Sequence, residues 1–470
     1  MTTQQNNEIK KLHNLNEFLF ESFKILSPAS EFIPNWHIDI LCQMLQATYS
    51  GDINRLIVCM PPRYMKSLCI STAFPAWVLS KNNAEKIIVA SYAMPLAEKL
   101  SVDTKSVMES DWYKIAFPKV KFVKSVNSKK KFLTTLGGFR LATSINGSLT
   151  GEGCDILIAD DPQKPISIGS KRYRDKTFDW LSNTFFSRLN NKKEGKIIIV
   201  MQRLHADDII GRLTGNKIQD QLLQEIDDWT VLSLPAIAKY DEAYRKKNEA
   251  LNPQMEDIPT LIQLQKQMGD YHFNAQYQQS PNTTGTGFLK KSQVHILHEN
   301  VDVESGVFIS VDSAFKSGEN NDFTAISIWT EGYYDGKSTL ILFDVLLQKL
   351  EFSELLALLR KLFSQYFVHQ MLIEDKGSGI SLIQNLQREF GSKILPIKAN
   401  LPKEVRFLSC ISYIESGDVL FRKQISQDVF TQLFEFPHGK HDDAVDSISQ
   451  FIIWYFAKMR SMALPRMYSF

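Results

Sequence analysis

Cysteine is scarce in this chain of 470 residues. Its five cysteines, Cys42, Cys59, Cys69, Cys154 and Cys410, are scattered, odd in number and without C-x-x-C spacing. That pattern excludes a disulfide framework and a zinc ribbon, and reads as reduced core thiols of a cytosolic protein. No apolar run approaches the length needed to cross a membrane, so no membrane partner is expected. The opening MTTQQNNEIKK holds no apolar signal core. Charge of one sign is also missing: 54 Lys and Arg against 52 Asp and Glu leave a net charge of +2. Any contact with nucleic acid must therefore come from local patches. The candidates are Lys129-Lys130-Lys131, Lys192-Lys193 and Lys290-Lys291, although such clusters are usually plain solvated surface. There is no internal repeat. What remains is an ordinary soluble composition, 44% hydrophobic and 23% charged, at a length that predicts two or three domains.

Glycine is missing where it would be most telling. The stretch Leu56 to Ser71, LIVCMPPRYMKSLCIS, reads as a buried strand (Leu56 to Met60), a tight loop (Pro61 to Met65) and a helix opened by Lys66-Ser67. That is the order of parts in a phosphate-binding P-loop. A triphosphate needs backbone N–H groups and a helix N-terminus, a Lys on its outer phosphates and a hydroxyl on Mg²⁺. Lys66 and Ser67 suit the last two roles. Met60 and Met65 stand at the two usual glycine positions. Because Met reaches positive φ only at a cost, the loop is expected not to depend on that conformation. An ordinary strand-to-helix turn with an exposed Lys stays open on this stretch alone.

Downstream, Lys86 to Tyr92 is a second buried strand, 94–110 a helix, and Leu133 to Ala142 a hairpin turning at Gly137-Gly138. A loop of glycines and small hydroxyls, Thr143 to Gly153, precedes the strand Asp155 to Ala159, which ends in Asp160-Asp161. An apolar strand finishing in two carboxylates matches a Walker B pattern. Asp160 is expected to hold Mg²⁺ through water, and Asp161 to orient or deprotonate the attacking water. A fourth strand, Lys196 to Val200, leads to Gln202-Arg203, and Ala206-Asp207-Asp208 caps a helix from Ile209 to Leu213. Strands alternating with helices predict an α/β fold with a mainly parallel, doubly wound sheet. Ser67, Asp160 and Gln202 then gather at its C-terminal strand ends. Upstream, Asn35-Trp36 is placed either to hold an adenine ring or to pack in the core.

Polar, Gln-rich sequence from Tyr240 to Gly287 marks a boundary. The division expected is a P-loop ATPase domain over 1–240, a helical arm and linker over 241–287, and a second domain over 288–470. The second domain starts with a strand, Val307 to Val311, ending at Asp312, followed by a loop with Gly318, Asn320, Asn321 and Asp322. A hairpin (Thr324 to Trp329, Leu340 to Val345) is expected to turn near Gly332-Tyr333. Strand Gln370 to Ile373 delivers Glu374, and His441-Asp442-Asp443-Ala444-Val445-Asp446 opens the last helix. Acids from a first strand, a later strand and a terminal helix match a ribonuclease H-like layout. Two Mg²⁺ ions about 3.5–4 Å apart need such hard, bridging carboxylates. Asp312 is the natural bridge, Glu374 joins it, and Asp443 or Asp446, on one helix face, completes the set. Charge favouring the helix N-terminus is the bland alternative for the helix acids.

In order, PPRYMKS, IIVASY with LAEKL, SLTGEGCDILIADDP, QRLHADDIIGRL, FNAQYQQSP and the acids at Asp312, Glu374 and HDDAVD resemble the large terminase subunits of tailed bacteriophages and prophages. The resemblance covers most of the chain. It implies an ATP-driven motor that translocates viral double-stranded DNA into a prohead, fused to a Mg²⁺-dependent endonuclease (Mn²⁺ possible) that cuts concatemeric DNA. It makes Arg63 a cis-acting P-loop arginine and puts Gln202-Arg203 in a coupling segment. It also implies portal protein and small terminase subunit as partners, a homo-oligomer on the portal, and the host cytoplasm. A DNA-repair helicase-nuclease and an inactive prophage remnant are the alternatives. The first should show a second RecA-like domain, and only one nucleotide-binding unit is present.

Overall fold

Strand β1 (Arg55–Cys59) sets the pattern for the first half of the molecule in the computed structural model. The structure describes residues 10–147, 149, 151–281, 287–298, 303, 306–313, 323–398, 401–437, 439 and 441–463. Leu56 and Val58 point into one apolar core and Ile57 and Cys59 into another, on the opposite face of the sheet. β2 (Lys86–Ser91) repeats this, with Ile87 and Val89 on one side and Ile88 and Ala90 on the other. Strands buried on both faces read as continuous apolar runs, which is why they were legible in the sequence.

The chain divides into two compact units, residues 1–265 with 271–283, and residues 266–270 with 284–470. Among the described residues the first unit holds a nine-stranded sheet. Its remaining strands are β3 (Phe122–Asn127), β4 (Lys131–Thr134), β5 (Phe139–Ser144), β6 (Ile156–Asp160), β7 (Lys196–Met201), β8 (Leu223–Ile226) and β9 (Trp229–Ser233). The order is β3-β4-β5-β2-β6-β7-β1-β9-β8. From β5 to β9 every pairing is parallel, and antiparallel pairs finish both edges. Helices Leu15–Leu26, Trp36–Ser50, Phe74–Lys81 and Met94–Glu109 supply much of one flanking layer. Trp36 stacks on Tyr244 with ring centroids 4.9 Å apart, and the Asn35 side chain caps its own helix by accepting from the His37 N–H. Trp36 also packs against the first core.

The second unit holds a seven-stranded sheet among the described residues: β10 (His295–Leu297), β11 (Val307–Asp312), β12 (Thr324–Tyr334), β13 (Lys337–Gln348), β14 (Val368–Glu374), β15 (Ile394–Ile397) and β16 (Val419–Arg422). The order is β10-β16-β13-β12-β11-β14-β15. β11, β12 and β13 form an antiparallel meander, and β14 and β15 run parallel to β11. The β12–β13 hairpin does not turn at Gly332-Tyr333, which are paired within it. It turns at Asp335-Gly336, both at positive φ. Asp-Gly suits such a two-residue turn, because both central residues must be left-handed.

Alternation along β11 decides where chemistry can sit. Val307, Ile309 and Val311 enter the core formed with helices Phe352–Gln365 and Ser378–Phe390. Phe308 and Ser310 face the terminal helix Asp443–Ala463, against Phe451 and Ser447. Asp312 has the parity of that second face.

Candidate active sites

The P-loop site is built by three adjacent strand ends. In the order β6-β7-β1, the chain leaves β6 at Asp160-Asp161, β7 at Gln202 and β1 at Met60. The Asp161 N–H donates to the Val200 carbonyl at 2.8 Å, fixing the two carboxylates beside β7. Lys66 is only 4% exposed, which removes the ordinary-turn reading of this Lys. Its ammonium pairs with Asp161 Oδ1 at 2.9 Å and donates to Gln202 Oε1. The Ser67 hydroxyl donates to Asp160 Oδ1 at 2.9 Å. Exposed Arg63 lines the same cleft, of about 450 Å³, with Pro62, Met65, Lys66, Ser67, Asp161 and Gln202. A cleft of that size is in the range of small-molecule sites.

The loop does use left-handed backbone, against expectation. In the loop Met65 has φ 65° and Arg63 φ 73°; Asp161, after β6, has φ 42°. The left-handed well costs an L-residue about 1–2 kcal/mol rather than being closed to it. The surroundings hold it in place. Tyr64, between the two strained residues, is buried against His37 and donates its hydroxyl to Glu256 at 2.8 Å. Strain kept at such a loop is common at functional sites.

Asp160 is fully buried, and burial followed by the charge of Asp161 raises its carboxyl to about 7. Its Oδ2 has no hydrogen-bond partner. A buried carboxylate with one oxygen on a Ser hydroxyl and the other unpartnered is a hard-oxygen donor set that fits Mg²⁺.

The second set of acids lies on one face of the second unit. Val311 pairs with Ile373, so Asp312 and Glu374 end neighbouring strands with their side chains on the same side. Burial raises the Asp312 carboxyl to about 7, with Asp446, Glu374 and Asp443 adding to the rise and Lys403 opposing it. The predicted acids are therefore electrostatic neighbours of Asp312. Among the described residues, however, no three of them stand close enough to hold a metal ion as they are. Asp446 Oδ2 is ion-paired to Lys403 at 2.5 Å, and its Oδ1 takes a hydrogen bond from Arg406 at 2.7 Å. The proposed loop residues Gly318, Asn320, Asn321 and Asp322 lie outside the described residues, as do Ser148 and Thr150 of the earlier small-residue loop. The donors still fit a divalent metal by chemistry: Asp312, Glu374, Asp443 and Asp446 supply hard carboxylate oxygens, and burial together with the neighbouring acids raises Asp312.

The residues that position these acids carried no sequence signal as ligands. The Ser447 hydroxyl donates to the Ser310 carbonyl at 2.8 Å and lies 2.7 Å from the Ser327 hydroxyl. Gln450 donates to the Ser310 hydroxyl at 2.9 Å, and Trp329 to Ser327 at 2.9 Å. This buried network fastens the terminal helix to β11 and β12. Its trace in the sequence is a set of buried polar residues, Ser310 and Ser327 in apolar strands and Ser447 and Gln450 three apart in the terminal helix. Lys403 and Arg406 also went unread as part of the site.

Residues 309–453 match the family model of the terminase RNaseH-like domain. None of the curated proteins matches the chain. Among solved structures it is similar to the large terminase of a thermophilic bacteriophage, with 12% identity over 87% of this chain and 98% of that one, TM-score 0.46. It is similar to the HK97 bacteriophage large terminase, with 10% identity over 96% and 99%, TM-score 0.39. The large terminase nuclease from thermophilic phage G20c with bound zinc overlaps 34% of this chain and 92% of its own, with 17% identity and TM-score 0.25. Residues 309–453 are thus similar to the terminase RNaseH-like domain, and over that stretch the resemblance to large terminase subunits is borne out.

Proposed function

We propose that this chain is a DNA-packaging motor and nuclease: ATP hydrolysis in the first unit drives viral double-stranded DNA into a prohead, and the second unit cuts concatemeric DNA. The observation that carries this reading is the joining, in one chain, of the Lys66–Asp161–Gln202 and Ser67–Asp160 constellation to a terminase RNaseH-like domain.

Ser67 and Asp160 would hold Mg²⁺, and the bound nucleotide supplies the phosphoryl group. Lys66 begins paired with Asp161. When Lys66 turns to phosphate it neutralises transition-state charge, an effect of several kcal/mol in such sites. The same move frees Asp161 to orient the attacking water and accept its proton. Gln202, released from Lys66, is placed to report the change to the segment after β7, where Arg203 forms a buried pair with Asp208 at 2.9 Å. Arg63 adds positive charge at the mouth of the cleft. In the second unit Asp312, Glu374 and Asp443 or Asp446 would hold divalent ions, Mg²⁺ or Mn²⁺, which lower the pKa of bound water and steady the leaving oxygen. Double-stranded DNA, a portal, a small subunit and a homo-oligomeric ring on that portal belong to the same reading.

The test is a pair of variants in the purified full chain. Lys66→Ala should lose ATP hydrolysis yet still nick supercoiled plasmid with Mn²⁺. Asp312→Ala should hydrolyse ATP and leave the plasmid intact. Normal ATP turnover in Lys66→Ala sinks the motor assignment, and cutting by Asp312→Ala sinks the nuclease assignment.

A further inference from the structure

One cation already sits among the acids of the second unit. Lys403, at the start of the helix Lys403–Glu415, places its ammonium 2.5 Å from Asp446 Oδ2 and 2.9 Å from Asp442 Oδ1. Arg406, one turn on, reaches the other oxygen of Asp446 at 2.7 Å. Both oxygens of Asp446 are therefore engaged by positive charge supplied from a single neighbouring helix. The two cations differ in kind. Arg406 is buried and reaches Asp446 from inside the fold, whereas the Lys403 side chain is half exposed and can leave.

We propose that Lys403 is a tethered counter-ion of the nuclease site, which lends positive charge to the Asp446–Asp442 end of the acid set and which an incoming divalent cation must displace. The proposal rests on the nuclease reading of that acid set. An ammonium offers three donors and one charge on a flexible stem, so it satisfies carboxylates without fixing them in a ligand geometry. A divalent ion brings twice the charge and takes oxygens at short range. Exchange of one for the other is therefore a competition for the same oxygens. Lys403 also opposes the charge of the neighbouring acids at Asp312, so its influence reaches across the set. In this scheme Arg406 keeps Asp446 anchored while Lys403 swings out, and metal loading depends on how readily that happens. Lys403 is a positioning residue here, acting through Asp446 and Asp442.

The experiment is Mn²⁺ titration of the nucleotide-free full chain, with free ion followed by electron paramagnetic resonance. Lys403→Met should bind Mn²⁺ about tenfold more tightly than the wild-type chain, because the competitor is gone. Lys403→Arg, which keeps a cation, should return the affinity to near the wild-type value. Asp312→Asn, measured in parallel, identifies the binding as that of the nuclease acids by weakening it. Equal or weaker Mn²⁺ binding in Lys403→Met, with Asp312→Asn still weakening it, overturns the counter-ion role and leaves the nuclease reading standing. Binding that Asp312→Asn does not alter overturns both. Since Lys403 is half exposed, Lys403→Met is expected to fold. Unchanged far-ultraviolet circular dichroism checks this, and Lys403→Ser replaces it if folding fails.

Discussion

Single residues in the P-loop carry conformations that their side chains resist. Met65 sits at φ 65°, a position the sequence argument expected the loop to avoid. Glycine there would remove about 1–2 kcal/mol of left-handed strain. It would also lose the contacts of Met65 with the first core and restore freedom to the unfolded chain. These terms oppose each other, so Met65→Gly should leave the urea midpoint nearly unchanged and keep ATP turnover within a few-fold. Met65→Val has no such compensation, because branching at Cβ makes positive φ a true outlier. It should cost about 1–2 kcal/mol and slow turnover, and equal midpoints for the two variants would show that the backbone is not held left-handed. His37 gives a second test nearby. It is buried, and its Nδ1 lies 2.7 Å from Asn35 Oδ1. Burial lowers this imidazole to about 4 from 6.5, with a hydrogen bond to the Tyr64 backbone opposing the fall and Arg245 adding to it. Its folded pKa is below its unfolded one, so the stability it contributes is complete above pH 6.5 and is lost as pH falls toward 4. Each pH unit in that window costs up to about 1.4 kcal/mol. Urea midpoints measured from about pH 7 to about pH 4 should fall less steeply in His37→Gln, and parallel slopes would assign the acid sensitivity to other groups.

Elements differ in how far the sequence disclosed them, and the reasons are physical. β1, β2, β6 and β7 were legible because central parallel strands are buried on both faces and read as unbroken apolar runs. The two acids that end β6 stood out with them, although two acids at a strand end are as often a solvated turn. β8, with Gln224 and Ile226 buried and Leu223 and Glu225 exposed, offers only four alternating residues, and β16 has four as well. Strands that short are defined by their partners, Trp229–Ser233 for β8 and Leu340–Leu342 for β16. The partner of β16 lies far outside any local window, whereas that of β8 follows three residues later in a hairpin. The helix Lys403–Glu415 shows the same limit. It buries Val405, Phe407, Leu408 and Ile411, but its importance to the site comes from Lys403 and Arg406 meeting acids of the terminal helix. The motif HDDAVD was readable, whereas the cations that neutralise part of it were not. The serine network around Ser447 was hidden likewise, because a hydroxyl becomes a positioning group only when a distant strand supplies its partner.

At the scale of the whole molecule, the proposed nuclease acids all lie in the second unit. Val307, Ile309, Val311, Leu355, Leu359, Met371, Ile373, Leu382 and Leu386 of that unit form one core cluster. A fragment from Gly287 to Phe470 keeps that core, all seven strands and the serine network. What it loses from its own unit is residues 284–286 and Lys266–Asp270, including the Asp270 N–H that donates to Glu415 at 2.9 Å. One such bond is worth about 1 kcal/mol, a small part of the stability of a domain this size. The fragment should therefore fold and nick plasmid with Mg²⁺ or Mn²⁺ and no ATP, because metal-assisted attack by water draws nothing from a nucleotide. Cutting should show little sequence preference, since backbone contacts carry no sequence information. It should also weaken as salt rises, because binding phosphates releases counterions. Starting the fragment at Lys266 instead restores the bond to Glu415 but carries along Tyr271–Thr283 of the first unit, with buried Tyr271, Phe273 and Tyr277, so no gain in thermal stability is expected and the metal requirement should be unchanged. Asp312→Ala in either fragment should abolish nicking, and comparing Asp443→Ala with Asp446→Ala identifies the helix acid on which cutting depends. The larger loss of cutting is expected from Asp443→Ala, nearer the helix start, while Asp446→Ala should lose more stability because it leaves buried Arg406 without its carboxylate. A folded fragment that binds no Mn²⁺ and leaves supercoiled plasmid untouched would remove the nuclease from the second unit.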